Sequence, residues 1–164
     1  MQECPCGFYN HPERECTCPP GAVQKYLNKI SGPLLDRIDL HVEVTPVPFN
    51  ELSSIKPTEK SSGIRERVIT AREIQANRYQ NNPGVYCNAQ MSSKMLKEIC
   101  VIDTVGQNLL KAAMQKLNLS ARAYDRILKV ARTIADLSQS DAIRAEHLAE
   151  AIQYRSLDRE GWAG

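Results

Sequence analysis

The chain has 164 residues, with 21 lysine and arginine side chains against 19 acidic ones and a formal net charge of +2. This length can hold one ordinary domain or two small ones. The near balance of charge excludes the strongly basic block typical of a free-standing nucleic-acid-binding module. No apolar run approaches the roughly 20 residues needed to cross a bilayer, and no signal peptide is recognisable. We therefore expect a soluble, cytoplasmic protein.

Two close pairs of cysteines lie near the N-terminus. Together they form the pattern C-x-C-x9-C-x-C, made by Cys4, Cys6, Cys16 and Cys18. Because nothing indicates secretion, clustered thiols favour metal binding over disulfides, and four thiolates suit a closed, structural zinc site. The spacing within each pair is tighter than usual, so a metal-free or oxidised loop is the alternative. His11 could replace one thiolate, whereas Cys87 and Cys100 are typical of ordinary small apolar positions.

The next segments predict a short helix and then a strand. Residues 22–30 follow Pro-Pro-Gly and have a helical composition. The dipeptide Gly32-Pro33 breaks the chain. Leu34 to Arg37 can form only a short turn or helix, and from Ile38 to Thr45 apolar and polar residues alternate, which predicts a strand over 38–45.

Arg37 stands at the turn that enters this predicted strand. A guanidinium held on a stiff backbone can present its planar fork to a phosphate group. The alternative is a surface arginine that pairs with Asp36 or Asp39. Spacing alone leaves both interpretations open.

A polar connector over 53–62 leads into a predicted helix capped by Ser62 and ending at Tyr79. Farther on, four more helices are predicted: Ser92–Ile99, one capped by Asp103, one capped by Ser120, and Ala145–Tyr154. Their apolar residues recur at helical spacing, so residues 91–155 can bury a core of their own as a four-helix domain.

The helix capped by Ser120 has two distinct faces. Its apolar residues form the core face, and a basic stripe lies beside it, made by Arg122, Arg126, Lys129 and Thr133. Helical spacing alone favours a solvated basic flank of the core. Arg132 lies off the stripe and four residues before Asp136, which predicts a surface ion pair.

Three segments resemble the magnesium chelatase-like AAA+ ATPases. They are Gly32-Pro-Leu-Leu-Asp-Arg-Ile-Asp39, the helix from Leu119 to Leu137, and the ending from Ala145 to Arg159. The Cys-Pro-Cys-Gly opening matches as well. The resemblance runs over nearly the whole chain but corresponds to only the C-terminal third of such a protein.

The resemblance implies a fold class and a domain organisation. The fold would be mainly α, with a four-helix AAA+ lid bundle preceded by a short strand segment and a Cys-rich loop from the end of the AAA+ α/β core. Residues 1–60 would be a remnant of the large domain, with the Cys-rich candidate zinc loop at 1–20 and the arginine-finger segment at 31–45. Residues 61–90 would be a connecting helix and linker, and 91–164 the lid.

The resemblance also implies roles for three arginines. Arg37 would be the catalytic arginine finger, and Arg122 the sensor-2 arginine that contacts the nucleotide, with Arg126 as a second candidate. In the full-length protein the cofactors would be ATP and magnesium, the assembly a homo-oligomeric ring, usually a hexamer, and the further partner DNA. Remodelling of a protein partner is the rival task within the family.

The catalytic half of such an enzyme is missing from this sequence. No Gly-x-x-x-x-Gly-Lys-Ser/Thr loop occurs, and no apolar strand ends in paired acidic residues. In the family an Asn-Pro that contains the sensor-1 asparagine precedes the first cysteine; here these positions hold Gln2 and Glu3, so sensor 1 is either altered or absent from this sequence. We therefore expect no ATPase activity from the chain alone. A zinc-stabilised binding module joined to a helical protein-interaction adaptor, without any link to ATP, is the alternative function.

Overall fold

The computed structural model describes residues 4–9, 11, 13–29, 31–42, 44, 47 and 59–155. This part of the chain is mainly helical, as the sequence predicts. Its only β-type pairing is an isolated parallel bridge between Ile102 and Ile143. The helices are α1 (Ala22–Leu27), α2 (Gly32–Leu35), α3 (Ser61–Tyr79), α4 (Ser93–Ile99), α5 (Thr104–Lys116), α6 (Ala121–Leu137) and α7 (Ala145–Gln153), with a 3-10 turn at Asn88–Gln90.

Three of the predicted helix starts are confirmed by side-chain caps. Ser92 accepts a hydrogen bond from the Met95 backbone N–H at 3.3 Å, and Asp103 accepts one from Gly106 at 2.7 Å. Ser120 caps α6 in the same way. These bonds satisfy amides that have no partner inside the helix. The cap predicted at Ser62 is wrong, because α3 begins at Ser61, and its N-cap Lys60 makes no side-chain capping bond.

Helices α5 and α6 each end in a turn of the same left-handed type. Asn118 has φ 46° and Gln139 has φ 53°. The residue after each donates its N–H back across the last turn, from Leu119 to Met114 O at 3.0 Å and from Ser140 to Ala135 O at 2.8 Å. These bonds satisfy carbonyls that the ending helix leaves free. The chain therefore makes a tight corner between α5 and α6.

The C-terminal helices enclose one hydrophobic core, which α3 joins through Tyr79. Helix α6 lies at its centre because its apolar face contacts α3, α4 and α7. Burial of such side chains is the main source of stability for a domain of this size. The fully or nearly buried members are Tyr79, Met91, Leu96, Cys100, Leu110, Ile127, Leu128, Ala131, Ile134, Ala135, Ile143, Leu148 and Ala151.

A buried polar cluster fastens α3 and the 3-10 turn to α6. The Asp136 carboxylate, 1% exposed, accepts hydrogen bonds from Arg78 at 2.8 and 2.5 Å, from Asn88 at 2.8 Å and from Arg132 at 3.1 Å. Tyr79 donates its hydroxyl to Asn88 at 2.7 Å. The hydrogen bond to Asp136 raises the pKa of Arg78. Each buried charge thus has partners, as burial requires.

This cluster corrects the prediction for Arg132. Its i,i+4 pair with Asp136 forms as predicted, but the pair is not on the surface, since the Arg132 residue is only 3% exposed. The guanidinium also donates to the carbonyls of Asp141 at 2.7 Å and Ser140 at 2.5 Å. Arg132 therefore binds both the Asp136 carboxylate and the backbone of the α6–α7 loop.

The strand predicted over 38–45 does not form in the described part of that segment. Residues 38–42 and 44 have no regular secondary structure, and positions 43 and 45 lie outside the described residues. The apolar side chains of the predicted inward face are exposed, up to 89% at Val44. A strand needs a paired neighbour for its backbone groups, and the described residues provide none.

No helix in the described residues is long and apolar enough to span a membrane.

Candidate arginine sites and a candidate metal centre

Arg37 lies in the turn that follows α2. Its N–H donates to Leu34 O at 3.0 Å, and the Ile38 N–H donates to Leu35 O at 3.0 Å. These bonds hold the backbone in a tight turn at the arginine. The side chain points into solvent and has no hydrogen-bond or ion-pair partner among the described residues. Arg37 is therefore available to a ligand or a neighbouring molecule.

The alternative pairing of Arg37 with an adjacent aspartate is not observed. Asp39 forms an ion pair with Arg126 on α6. Asp36 lies 3.8 Å from the guanidinium of the buried Arg155. Both carboxylates next to Arg37 thus face the C-terminal helices.

The predicted basic stripe of α6 divides into engaged and free side chains. Arg126 pairs with Asp39, and Lys129 donates to the carbonyls of Ala89 at 3.0 Å and Met91 at 2.8 Å. These two cations therefore have structural contacts. Arg122, in the first turn of α6, is exposed and has no partner in the part of the chain that the structure describes.

Several contacts join the turn that bears Arg37 to the helical domain. Asp39 pairs with Arg126, Arg155 donates to Ile38 O, and the His41 N–H donates to Tyr154 O at 2.8 Å. Nothing in the local sequence signals these links, because they join residues far apart in the chain. The Asp39–Arg126 pair attaches the segment of Arg37 to the helix that carries Arg122, and the other two links attach it to the end of α7.

The four clustered cysteines lie together as a candidate metal centre. All six cysteines are free thiols, and the Sγ atoms of Cys4, Cys6, Cys16 and Cys18 are all within 4.8 Å of one another. Three of the separations are 3.3, 3.5 and 3.8 Å. A tetrahedral zinc with Zn–S bonds of about 2.3 Å places its sulfurs about 3.8 Å apart. The four side chains therefore fit a zinc ion with small adjustments.

Backbone amides point at these sulfurs. The Tyr9 N–H donates to Cys4 Sγ at 3.3 Å. The Cys6 sulfur accepts hydrogen bonds from the backbone of Phe8 and Thr17. The Cys16 sulfur accepts one from the Cys18 backbone, and the Cys18 sulfur accepts one from the Cys6 backbone. Gly7, with φ 80°, makes the turn between the first pair and these amides. N–H groups directed at thiolates stabilise and orient them as metal ligands.

The thiols influence one another's ionisation. Hydrogen bonds lower the pKa of Cys6 to about 5. The bond from the Phe8 N–H has the largest effect, and bonds with neighbouring thiols and other backbone groups add to it. The pKa of Cys18 is raised to about 12: the Cys6 amide lowers it, but burial and the three neighbouring thiols together outweigh that amide. Repulsion between crowded thiolates is relieved when a bound cation neutralises them.

The other residues considered for this centre do not belong to it. His11 Nδ1 accepts a hydrogen bond from the Glu13 N–H at 3.1 Å, and its ring packs edge-on against Phe8. Cys100 is buried in the helical core, and burial raises its pKa to about 11, as expected for an apolar position. The Cys87 thiol is near Gln90, 3.7 Å from its side-chain oxygen.

Two family models match the chain. The model described as "Magnesium chelatase, subunit ChlI C-terminal" covers residues 58–155, and "Magnesium chelatase, subunit ChlI" covers residues 1–52. The chain belongs to the magnesium chelatase family, in agreement with the resemblance seen in the sequence.

The curated relatives are longer proteins. The uncharacterised protein YifB of Escherichia coli is 41% identical, and competence protein ComM of Haemophilus influenzae is 40% identical, each over 97% of this chain and 30% of the relative. An uncharacterised Mycobacterium bovis protein is 33% identical over 93% of this chain and 29% of its own length. The chain thus spans about 30% of the length of the relatives that it matches.

Proposed function

We propose that this chain supplies two arginines to the ATP sites of a ring-shaped AAA+ ATPase. Arg37 acts as the arginine finger that reaches the nucleotide of a neighbouring subunit, and Arg122 contacts the nucleotide phosphates as sensor 2. Arg126, the second candidate for that contact, has a structural role instead because it pairs with Asp39. ATP and magnesium are the cofactors of the full-length ring, which we propose, from the family resemblance, to be a homo-oligomer of six subunits.

The observation that carries this proposal is the contrast between free and paired cations. Arg37 and Arg122 have no partner among the described residues, although Asp36 and Asp39 flank Arg37 and are directed elsewhere. An arginine on a fixed turn loses little conformational freedom when it binds a phosphate. Membership of the magnesium chelatase family supports the assignment of these arginines to ATP.

The chemistry follows from the charge of the transferred phosphoryl group. Negative charge on its oxygens and on the leaving group must be stabilised in the transition state, and a pre-positioned guanidinium does so without reorganisation. Arginine fingers of this kind contribute about 10³- to 10⁵-fold to turnover. The phosphate-binding loop, the magnesium ligands and the base come from a nucleotide-binding core, so this chain alone binds ATP only weakly and does not hydrolyse it.

Substitution of each arginine tests the proposal in a full-length protein that contains this chain. Arg37→Ala should reduce kcat by at least about 10²-fold with little change in nucleotide affinity. Arg122→Ala should impair both. Arg72→Ala is the control, because Arg72 is also exposed and has no partner among the described residues. Turnover at the control level in both variants would contradict the proposal.

The ring's work, in this proposal, is ATP-driven movement along DNA, with branch migration during recombination of incoming strands. The support is the likeness to a relative named as a competence protein. Remodelling of a protein partner is the rival task, and stimulation of turnover by branched DNA, but not by unrelated protein, separates the two. A zinc-stabilised adaptor without ATP chemistry is the second candidate function, and the thiol cluster is the observation in its favour.

We also propose that Cys4, Cys6, Cys16 and Cys18 bind one structural zinc ion. Four thiolates leave no open position for a catalytic water, so the metal cross-links the loop instead of taking part in the reaction. Protein prepared in reducing buffer without chelator should contain about one zinc per chain, and a variant with Cys16→Ser and Cys18→Ser should contain none. Cys87→Ser, remote from the cluster in sequence, is the control. Metal-free wild-type protein would contradict the proposal.

A further inference from the structure

Asp39 and Arg126 form an ion pair between two distant parts of the chain. It joins the residue two positions after Arg37 to the residue one helical turn after Arg122. Both members are partly exposed, at 47% and 33% of their side chains. Exposed pairs contribute little to global stability, so this pair has a small effect on folding but can still fix a local geometry.

Two further contacts place the same short segment. The Arg155 guanidinium donates to Ile38 O, and the His41 N–H donates to Tyr154 O at 2.8 Å. The first links the backbone on one side of Asp39 to the end of α7, and the second does so on the other side. Asp39 supplies the only one of these contacts that reaches α6. Without it, the segment could still touch the end of α7 but would lose its register on α6.

We propose that Asp39 is a positioning residue, which acts through Arg126 to hold the Arg37 turn in a fixed place on the helix that bears Arg122. The effect of this docking on turnover rests on the proposed function, because the relative position of Arg37 and Arg122 affects turnover only if both arginines serve ATP sites. The docking itself does not depend on ATP and can be measured on this chain alone. When the Arg37 turn is docked in this way, a movement of α6 is transmitted to Arg37.

Amide exchange on this chain tests the docking. The His41 amide is the reporter, since its acceptor is Tyr154 O, and the Ala131 amide, inside α6, is the internal reference. Loss of an exposed ion pair should raise the local opening equilibrium about two- to fivefold, so Asp39→Asn should speed exchange at His41 by that factor. Asp125→Asn is the matched control, because Asp125 lies next to Arg126 and has no partner among the described residues.

A double-mutant cycle assigns the effect to the pair. Arg126→Gln alone should reproduce the effect of Asp39→Asn, and the combined variant should exchange no faster than either single one. The exchanged pair, Asp39→Arg with Arg126→Asp, should restore slow exchange. Exchange at His41 equal to that of the Asp125→Asn control, or fully additive effects in the combined variant, would overturn the docking.

Turnover in a full-length protein separates this inference from the proposed function. Asp39→Asn should lower kcat without changing KM for ATP, and the exchanged pair should restore kcat. If Arg37→Ala leaves turnover intact, the proposed function fails while the exchange data still decide the docking. If Arg37→Ala abolishes turnover but Asp39→Asn loosens the segment without lowering kcat, the positioning role is overturned and the proposed function stands.

Discussion

The described residues before 59 and those from 59 onward are stabilised in different ways. In the first group only Cys4 and Leu27 are buried, and apolar side chains such as Leu40 and Val42 remain exposed. In the second group, five helices share one hydrophobic core and a satisfied polar cluster around Asp136. The helical domain therefore has its own source of stability. The N-terminal region depends on turns, on its sulfur cluster and on contacts with the helical domain.

The difference teaches where sensitivity to a change should be found. A substitution in the helical core should change the global free energy of unfolding, because the core is shared by all its helices. A substitution in the N-terminal region should change local opening and leave that free energy nearly unaltered. Contacts too weak to change the global free energy of unfolding can therefore still hold Arg37 in place, because they act on local opening.

The largest expected effect comes from removal of the Asp136 carboxylate. Asp136→Ala leaves the guanidiniums of Arg78 and Arg132 without their buried partner and should cost about 3–5 kcal/mol in the free energy of unfolding. Urea denaturation followed by helical circular dichroism measures this. The control is Glu150→Ala, on the exposed face of α7. A loss no larger than that of the control would show that the cluster does not stabilise the domain.

Two helical glycines give a matched pair with opposite expectations. A Cβ added at Gly106 would lie 2.7 Å from Leu148 Cδ1, whereas at Gly63 the nearest atom is 3.4 Å away. Gly106→Ala should therefore destabilise by about 1–3 kcal/mol through overpacking. Gly63→Ala should stabilise by up to about 1 kcal/mol through helix propensity. Thermal melting of both variants checks the pair, and stabilisation by Gly106→Ala would contradict the close packing of α5 on α7.

Metal removal should act on one region only. A chelator added under reducing conditions should increase amide exchange about tenfold or more in residues 4–29, because the cross-link closes a loop with little core of its own. Exchange within α6 should stay within about twofold of its original rate, because its protection comes from the core. Equal acceleration in both regions would show that the helical domain also depends on the metal.

The success of sequence reasoning varied with the range of the interactions involved. The caps at Asp103 and Ser120 and the apolar face of α6 could be predicted because helices are specified by neighbours three and four residues apart. The Arg78–Asp136 bond spans 58 positions, and the Asp39–Arg126 bond spans 87. Nothing local signals either contact. The strand over 38–45 was predicted from alternation alone, but alternation cannot supply the neighbouring strand that pairing requires.

The candidate sites show the same dependence on range. The sulfur cluster could be predicted because its four residues lie within fifteen positions of one another and turns bring them together. The availability of Arg37 could not, since it depends on Asp36 and Asp39 facing residues of the distant C-terminal helices. The roles of Arg37 and Arg122 in ATP hydrolysis remain predictions.

The most direct test of the central claim is a mixed-ring ATPase assay on full-length protein. One preparation carries Arg37→Ala with an intact nucleotide-binding core, and the other carries intact Arg37 with an inactivated core. Each alone should be nearly inactive, and mixing them should restore turnover, because an intact arginine then faces an intact ATP site across a subunit interface. Mixtures no more active than the separate preparations, measured where rings form and exchange subunits, would contradict the account.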